Sequence, residues 1–223
     1  DLDADVMLHW HPNDENTVSA SSSLANKAGK FRFYGLSSHA AASPERGRSA
    51  LDAVEAMDHM ANMMREHVPS STRIHYVITN GGKAPNIVPD YAEVYYYVRS
   101  PQRDVVMDVW NRIEKAAEGA ALGTGTRYEV ELIGGVYEVL PNEHLVSVMG
   151  SNLKSVGGYA LTSSEQAFAK QIQQTPGMQT VDLATTNQIF LNHPDPSGGG
   201  STDVGDVSWV VPTVGLGTAT WVP

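Results

Sequence analysis

Three polar side chains in this sequence are of types that could together bind an anionic ligand. His39 lies in a loop of serine and alanine, Asn86 follows a Gly-Gly turn, and Arg99 ends a tyrosine-rich segment. Imidazole and carboxamide groups donate hydrogen bonds, and a guanidinium grips a carboxylate through two parallel hydrogen bonds. We therefore expect the three side chains to converge on an anionic ligand.

Each of these residues also has an ordinary interpretation. A histidine in an exposed loop is usually just solvated, and an asparagine beside prolines often belongs to a turn. An arginine at a strand end often forms a surface ion pair, here with Glu93 or Asp104. Residue type alone leaves both interpretations open.

A second candidate for chemistry is the His-x-His pair in the short apolar segment Val6 to Pro12. His9 and His11 alternate along a predicted strand, so both imidazoles lie on the same face, where they could bind a metal ion. Zinc needs three or four N, O or S ligands, and His11 supplies one at best. The ordinary alternative for His11 is a packed or capped histidine at a strand end.

Composition excludes several classes of partner. The chain has 223 residues, a net charge of -10 and only 15 Lys and Arg residues, which argues against binding to nucleic acid. It has no cysteine, so it has neither disulfides nor thiolate metal sites, and a reducing cytoplasm fits. No run of eighteen apolar residues predicts a membrane-spanning helix. A small anionic ligand stays possible, because local charge matters more than net charge.

Hydrophobic periodicity predicts that Lys27 to about Tyr137 folds in the order β-α-β-β-α-β. This pattern is typical of an α+β sandwich with two helices on one face of a sheet. We place the first helix with Ser43 as its N-cap and Pro44 at its first position. The predicted elements are strands at Lys27 to Gly35, Arg73 to Thr79, Tyr91 to Arg99 and Arg127 to Leu132, and helices that start at Pro44 and Pro101.

The two flanks look too thin to form separate domains, so we assign them to one body. Residues 1–22 and 139–223 would form this body, and residues 23–138 would be inserted into it. Within the flanks we predict a loop from Asn13 to Ser23, a helix that Pro141-Asn142-Glu143 starts and that runs to about Val156, and a glycine-rich loop from Pro194 to Gly200.

Several of these segments together resemble the M20 family of metallopeptidases and amidohydrolases, in its aminobenzoyl-glutamate utilisation protein B-like branch. The resemblance covers nearly the whole chain. It rests on the stretches Asp5-Val-Met-Leu-His-Trp-His11-Pro12, Ser38-His39-Ala-Ala with Pro44 and Gly47-Arg-Ser-Ala-Leu-Asp-Ala, Gly82-Lys-Ala-Pro-Asn86-Ile-Val-Pro89-Asp90 with Arg99, and Gly200-Ser-Thr-Asp203-Val-Gly-Asp206-Val-Ser-Trp209.

The resemblance implies an α/β zinc-peptidase-like catalytic domain with two divalent metal ions, zinc or manganese, and an inserted lid that forms the dimer. His11 falls on a metal-ligand position. His39 falls on the lid histidine that polarises the scissile carbonyl, often from the opposite subunit. Asn86 and Arg99 fall on positions that bind the carboxylate end of the substrate, and Gly200 and Ser201 fall in a loop that lines the substrate site.

The sequence also departs from the family pattern. It contains no match to the upstream metal-binding histidine, to the Glu-Glu pair that supplies the general base, or to the final metal-binding histidine. We therefore expect a fragment of an amidohydrolase for N-acyl amino acids that is inactive and binds no metal by itself, unless a separate chain supplies the rest. The alternative is a dimerisation or ligand-binding module without catalytic activity.

Overall fold

The computed structural model of the chain describes residues 3–18, 20–177, 181–191 and 200–223. The chain forms two compact units. We call Leu24–Glu138 with Gly199–Ser201 the central unit, and Asp1–Ser23, Val139–Gly198 and Thr202–Pro223 together the flanking unit. The predicted domain boundaries lie close to this division, and the assignment of a catalytic and a lid domain stays a prediction.

The two units contain eight strands and five α-helices among the described residues. The strands are β1 (Met7–Asn13), β2 (Asn16–Val18), β3 (Ala25–Tyr34), β4 (Arg73–Asn80), β5 (Tyr91–Ser100), β6 (Arg127–Val136), β7 (Ile189–Leu191) and β8 (Thr213–Ala219). The helices are α1 (Ala50–Met64), α2 (Arg103–Thr124), α3 (Glu143–Val156), α4 (Ser163–Gln173) and α5 (Val204–Ser208). None of the helices in the described ranges combines the length and apolarity needed to cross a membrane.

The central unit is one antiparallel sheet in the order β4-β5-β3-β6, covered on one face by α1 and α2. Its chain order is β3-α1-β4-β5-α2-β6, which confirms the predicted β-α-β-β-α-β pattern and the α+β class. Because side chains alternate along a strand, one face of the sheet packs on the helices. We call the opposite face, which carries no helix, the open face.

A continuous apolar core holds the sheet to the helices. Phe31 on β3 and Tyr96 on β5 meet edge to face with ring centroids 5.6 Å apart, and Trp110 from α2 packs against Phe31 at 5.6 Å. Met57 of α1 is fully buried in the same core. Such aromatic pairs add to the free energy already gained by burying apolar surface. The core therefore fixes which face of each strand stays open.

The first helix begins later than the sequence predicts. Pro44–Arg46 forms only a short 3-10 turn, and the Ser43 side chain caps nothing. Gly47 then returns to an extended conformation, so helical hydrogen bonding stops and restarts at Ala50. Ser49 is the actual N-cap of α1, because its Oγ accepts a hydrogen bond from the Asp52 amide at 3.1 Å. The prediction of a Ser43 cap is therefore wrong.

The flanking unit contains a second sheet, in the order β1-β8-β2-β7. The predicted loop from Asn13 to Ser23 is wrong in part, because it contains β2. Asn16 explains this strand: its buried side chain donates to the Thr186 carbonyl at 2.8 Å and accepts from the Ala219 amide at 3.1 Å. Helix α3 forms as predicted, with Asn142 as its N-cap. The predicted loop at Pro194 to Gly200 lies outside the described residues except for Gly200.

One buried acid of the central core links its stability to pH. Asp58 on α1 is only 6% exposed and accepts a hydrogen bond from the Tyr96 hydroxyl at 2.5 Å. Burial raises the pKa of Asp58 from 3.8 to about 6, against the opposing effect of that hydrogen bond. Between these two values the folded state holds more protons than the unfolded state, so the free energy of unfolding falls as pH rises.

We predict that Asp58→Asn removes this pH dependence. Asp58 contributes a loss of up to about 3 kcal/mol between about pH 4 and pH 6, which chemical denaturation measures as the difference in pH dependence between the unmodified chain and the variant. The variant should lose less over that range. Asp108→Asn, which changes a largely exposed acid on α2, is the matched control and should keep the dependence. If the free energy of unfolding depends on pH in the same way for Asp58→Asn and the unmodified chain, the role of Asp58 is contradicted.

Candidate functional site

Two loops at one end of the central sheet hold His39 next to Asn86. Residues 35–48 follow β3, and residues 81–90 connect β4 to β5. The Ala40 amide donates to the Asn86 carbonyl at 2.9 Å, and the Val88 amide donates to the Ser38 carbonyl at 2.9 Å. These bonds pair the loops like two short strands, so the backbones at His39 and Asn86 are neighbours.

Gly35 allows the first loop to turn back on itself. Its amide donates to the Asp90 carbonyl at 2.9 Å, while Leu36 and Arg48 pair across the loop. A Cβ atom at Gly35 would lie 1.9 Å from the Arg48 carbonyl oxygen, which is impossible without moving backbone. Only glycine therefore fits at position 35 while the His39 loop keeps this path.

The hydrogen bonds of His39 fix the tautomer of its neutral imidazole ring. Nδ1 accepts from the amides of Ala41 at 3.2 Å and Ala42 at 3.1 Å. In the neutral imidazole the proton must then lie on Nε2, because an accepting nitrogen carries none. The side chain is exposed, so Nε2–H can donate to a carbonyl oxygen or an oxyanion of a ligand.

Arg99 lies at the other end of the same sheet. Strand β5 starts at Tyr91 beside the two loops, and Arg99 follows eight residues later. At about 3.3 Å per residue, this strand separates Arg99 from the loops by about 26 Å. His39 and Asn86 therefore come together in one chain and Arg99 does not, and the convergence of all three side chains on one ligand stays a prediction.

Arg99 has no acidic partner among the described residues. Its Nε atom is buried without a hydrogen bond there, and its guanidinium lies 5.5 Å from the centroid of the Tyr97 ring. The ion pair with Glu93 or Asp104 suggested by the sequence is wrong, because Arg99 forms neither. A buried guanidinium nitrogen without a partner costs free energy that a bound anion would recover.

Glu93 lies six residues before Arg99 on β5, about 20 Å away, and a different network on the open face holds it. Lys30 lies 3.3 Å from one carboxylate oxygen, and Arg32 Nε donates to the other at 2.8 Å. Burial alone would raise the pKa of Glu93, but hydrogen bonds from Thr79, Arg32 and Lys30 lower it to about 2. The carboxylate therefore stays ionised and fully occupied.

Gly200 and Ser201 lie at the same end of the central sheet as Arg99. The Leu24 amide donates to the Gly200 carbonyl at 2.8 Å, and the next residue, Ala25, lies opposite Ser100. The Ser201 hydroxyl is buried without a hydrogen-bond partner among the described residues. Two unpartnered polar groups, a hydroxyl and a guanidinium nitrogen, thus occur at one end of the sheet.

His9 and His11 lie in the flanking unit, beside a cavity of about 430 Å³ that both line. The His9 ring packs so closely over Gly215 that a Cβ there would lie 2.0 Å from it. His11 Nδ1 is 2.7 Å from the Pro12 carbonyl. Because a carbonyl only accepts, Nδ1 carries the proton in this contact and Nε2 keeps a lone pair for a metal ion.

The His9 and His11 pair does not by itself make a complete metal site. Within the described ranges, no three His, Asp or Glu side chains group as they would around a metal ion. The residues present therefore fit one or two positions of a metal shell and do not fit a complete one.

The register also reveals a residue that the sequence analysis did not single out. Arg73 on β4 lies directly opposite Arg99 on β5. Strand alternation could have assigned Arg73 to a face of the sheet, but only the pairing register shows that it faces Arg99.

Comparison with known proteins gives consistent results. Residues 25–124 match the family model of the M20 peptidase dimerisation domain. The chain is 37% identical to the B subunit of p-aminobenzoyl-glutamate hydrolase from Escherichia coli K12, over 94% of this chain and 49% of that protein. It is 33% identical to Xaa-Arg dipeptidase of Mus musculus, over 94% of this chain and 42% of that protein. The chain thus spans about half the length of the curated relatives it matches.

Solved structures agree on the fold. An aminobenzoyl-glutamate utilization protein from Klebsiella pneumoniae matches with a TM-score of 0.65 and 20% identity, over 97% of this chain and 51% of that one. An amidase of the hydantoinase/carbamoylase family from Burkholderia multivorans matches with a TM-score of 0.59 and 13% identity, over 96% of this chain and 46% of that one. Residues 25–124 thus match the dimerisation domain of M20 peptidases, and the chain as a whole is similar to relatives in the aminobenzoyl-glutamate utilisation protein B-like branch of the M20 family.

We predict that His9 titrates below its ordinary value of 6.5. Burial lowers the pKa of His9, and the nearby positive charge of protonated His11 lowers it further. His11→Ala should therefore raise the pKa of His9 without restoring the ordinary value. NMR titration of the imidazole carbon-bound protons measures both effects, and a His9 pKa at or above 6.5 in the unmodified chain would contradict this geometry.

Proposed function

We propose that the chain is part of a metal-dependent amidohydrolase that cleaves the amide bond of N-acyl amino acids, with aminobenzoyl-glutamate-like compounds as substrates. The observation that carries this proposal is the unpartnered pair at one end of the central sheet. The buried Arg99 Nε and the buried Ser201 hydroxyl have no hydrogen-bond partner within the described residues. A carboxylate accepts hydrogen bonds from groups of both kinds, and every N-acyl amino acid has one.

His39 and Asn86 act at the other end of the substrate in this proposal. The proton on His39 Nε2 stabilises the negative charge that develops on the scissile carbonyl oxygen, and the Asn86 carboxamide adds a further hydrogen bond to the substrate. Because strand β5 keeps these groups about 26 Å from Arg99 of the same chain, one substrate can reach all of them only between two copies. We therefore propose a homodimer, formed through the central unit, in which His39 and Asn86 come from the partner copy.

His11 is proposed as one ligand of a catalytic metal, zinc or manganese, in the intact enzyme. Such an ion supplies an activated water for amide hydrolysis. The described residues supply too few ligands for it, so we propose that this chain is inactive until further residues complete the shell. Those residues lie either in a longer form of this polypeptide or in a separate chain. A cytoplasmic location, suggested by the absence of cysteine, stays part of the proposal.

A second candidate function is a dimerisation or ligand-binding module without catalytic activity. Two observations favour it: the matched family model describes a dimerisation domain, and no three-ligand metal group is found in the described ranges. Such a module would bind acidic ligands at Arg99 without turning them over. Activity therefore separates the two candidates.

We predict that this chain, supplied with zinc or manganese, does not hydrolyse N-acyl glutamates. The same reading frame, expressed at the full length of its relatives, should hydrolyse them when loaded with metal. Release of the free amino acid is the measurement. Turnover by this chain alone would contradict the proposed need for further ligands. Inactivity of the full-length, metal-loaded protein on a broad N-acyl panel would favour the module without catalysis.

We predict that two inactive variants of the full-length enzyme restore activity when they are co-expressed. His39→Ala should lower kcat by about 100-fold to 1000-fold, and Arg99→Gln should weaken carboxylate binding. A mixed dimer has one site with both groups intact, so a random mixture should regain about a quarter of the unmodified activity.

The matched control combines His39→Ala with Asn86→Ala, which affect the same end of the substrate. Neither site of that mixed dimer is complete, so activity should stay low. No recovery in the first mixture, or a protein that sediments only as a monomer at high concentration, would contradict the shared site.

A further inference from the structure

The open face of the central sheet carries two arginines directly opposite each other. Arg73 on β4 pairs in register with Arg99 on β5, and their neighbours Ile74 and Val98 point into the core. Both guanidinium groups therefore extend from the open face. Directly opposite residues of an antiparallel pair have Cα atoms only about 5 Å apart, and like charges in that position are destabilising. A negative charge near both guanidinium groups would offset this repulsion.

No acidic side chain of the described ranges supplies that charge. Arg73 donates through Nη1 to the carbonyls of Ser70 at 2.6 Å and Thr72 at 3.0 Å, which hold the group without neutralising it. Neither Arg73 nor Arg99 forms an ion pair with any described residue. In a chain with a net charge of -10, two neighbouring uncompensated cations are unusual.

The electrostatic surroundings of His75 reflect the positive charges of Arg73 and Arg99. His75 lies two residues after Arg73 on the same face of β4, opposite Tyr97. Its pKa is lowered first by burial and then by the charges of Arg99, Arg65 and Arg73. Arg65 donates its Nε to the neutral Asn62 side chain at 3.0 Å and does not pair with an acid in the described ranges. The three arginines around His75 thus form no ion pair with an acidic side chain of the described residues.

We propose that Arg73 and Arg99 together bind the two carboxylates of a dicarboxylic amino acid. Arg99 takes the α-carboxylate, as in the proposed function on which this inference rests, and Arg73 takes the carboxylate of the side chain. Two arginines at directly opposite positions of adjacent strands match two carboxylates joined by a short aliphatic chain. Arg73 is then a specificity-determining residue for N-acyl derivatives of glutamate or aspartate.

The proposed role of Arg73 distinguishes between glutamate and arginine, the amino acids in the names of the two relatives, p-aminobenzoyl-glutamate hydrolase and Xaa-Arg dipeptidase. A glutamate side chain would be attracted to Arg73, whereas an arginine side chain would meet Arg73 and Arg65 without an acidic partner. Like-charge contacts of this kind exclude a wrong ligand as effectively as attractive contacts select the right one. The cluster therefore favours an acidic amino acid over a basic one.

The test compares ligands that differ only in the second carboxylate. N-acetyl-L-glutamate and N-acetyl-L-glutamine are titrated into the 223-residue chain, and the arginine Nε–H signals are followed by NMR. We expect the glutamate derivative to bind at least about tenfold more tightly, the ratio that about 1.4 kcal/mol produces. N-acetyl-L-arginine should bind more weakly than either.

Variants then assign the effect to individual residues. Arg73→Gln should reduce the glutamate-to-glutamine ratio to near one while leaving the affinity for the glutamine derivative within about threefold. Arg73→Lys, which keeps the charge, should restore part of the ratio. Arg99→Gln should weaken both ligands. Arg127→Gln, at the far end of the open face and paired with Glu129, is the matched control and should change neither affinity. Backbone amide spectra verify that each variant is folded.

The outcomes separate this inference from the proposed function. A wild-type ratio near one, or a ratio that survives Arg73→Gln, overturns the role of Arg73. If Arg99→Gln still weakens both ligands in that case, the carboxylate site of the proposed function stands. Tighter binding of the arginine derivative also overturns the inference. Absence of binding by all ligands at about 10 mM, tenfold above a millimolar Kd, overturns both.

Discussion

The ten-residue strand Tyr91–Ser100 is the constraint on which the functional account depends. It is a central strand of its sheet, paired on both sides, and its inner face is buried against two helices. A strand held in this way cannot shorten, so the His39–Asn86 loops and Arg99 stay about 26 Å apart in one chain. The core that keeps this strand extended therefore also keeps the two groups of polar side chains at opposite ends of the central sheet.

The two ends of the sheet differ in how their polar groups are held. At one end, backbone hydrogen bonds between two loops fix His39, and the amides of Ala41 and Ala42 set its tautomer. At the other end, Arg99, Ser201 and Arg73 have charges or hydrogen-bonding atoms that the described residues leave unsatisfied. The first end is arranged to donate hydrogen bonds, and the second is arranged to receive an anion. This division matches the carbonyl and the carboxylate of an N-acyl amino acid.

Much of the fold could be predicted from the sequence, because periodicity and helix signals are local. The order of the central unit and the helix after Asn142 follow from such patterns. The cap at Ser49 and the strand at Asn16 could not be predicted. Gly47 interrupts the first helix through contacts with a distant loop, and Asn16 is held by the distant residues Thr186 and Ala219. Likewise, residue types suggested His39, Asn86 and Arg99, but their separation and the approach of Arg73 to Arg99 depend on strand register.

The most direct test of the two-copy account is a crystal structure of the full-length protein with a non-hydrolysable N-acyl glutamate analogue. The account predicts that each ligand contacts Arg99 of one copy through its α-carboxylate and His39 and Asn86 of the other copy near its carbonyl oxygen. A ligand whose contacts all come from a single copy, or whose carboxylate lies away from Arg99, would contradict it.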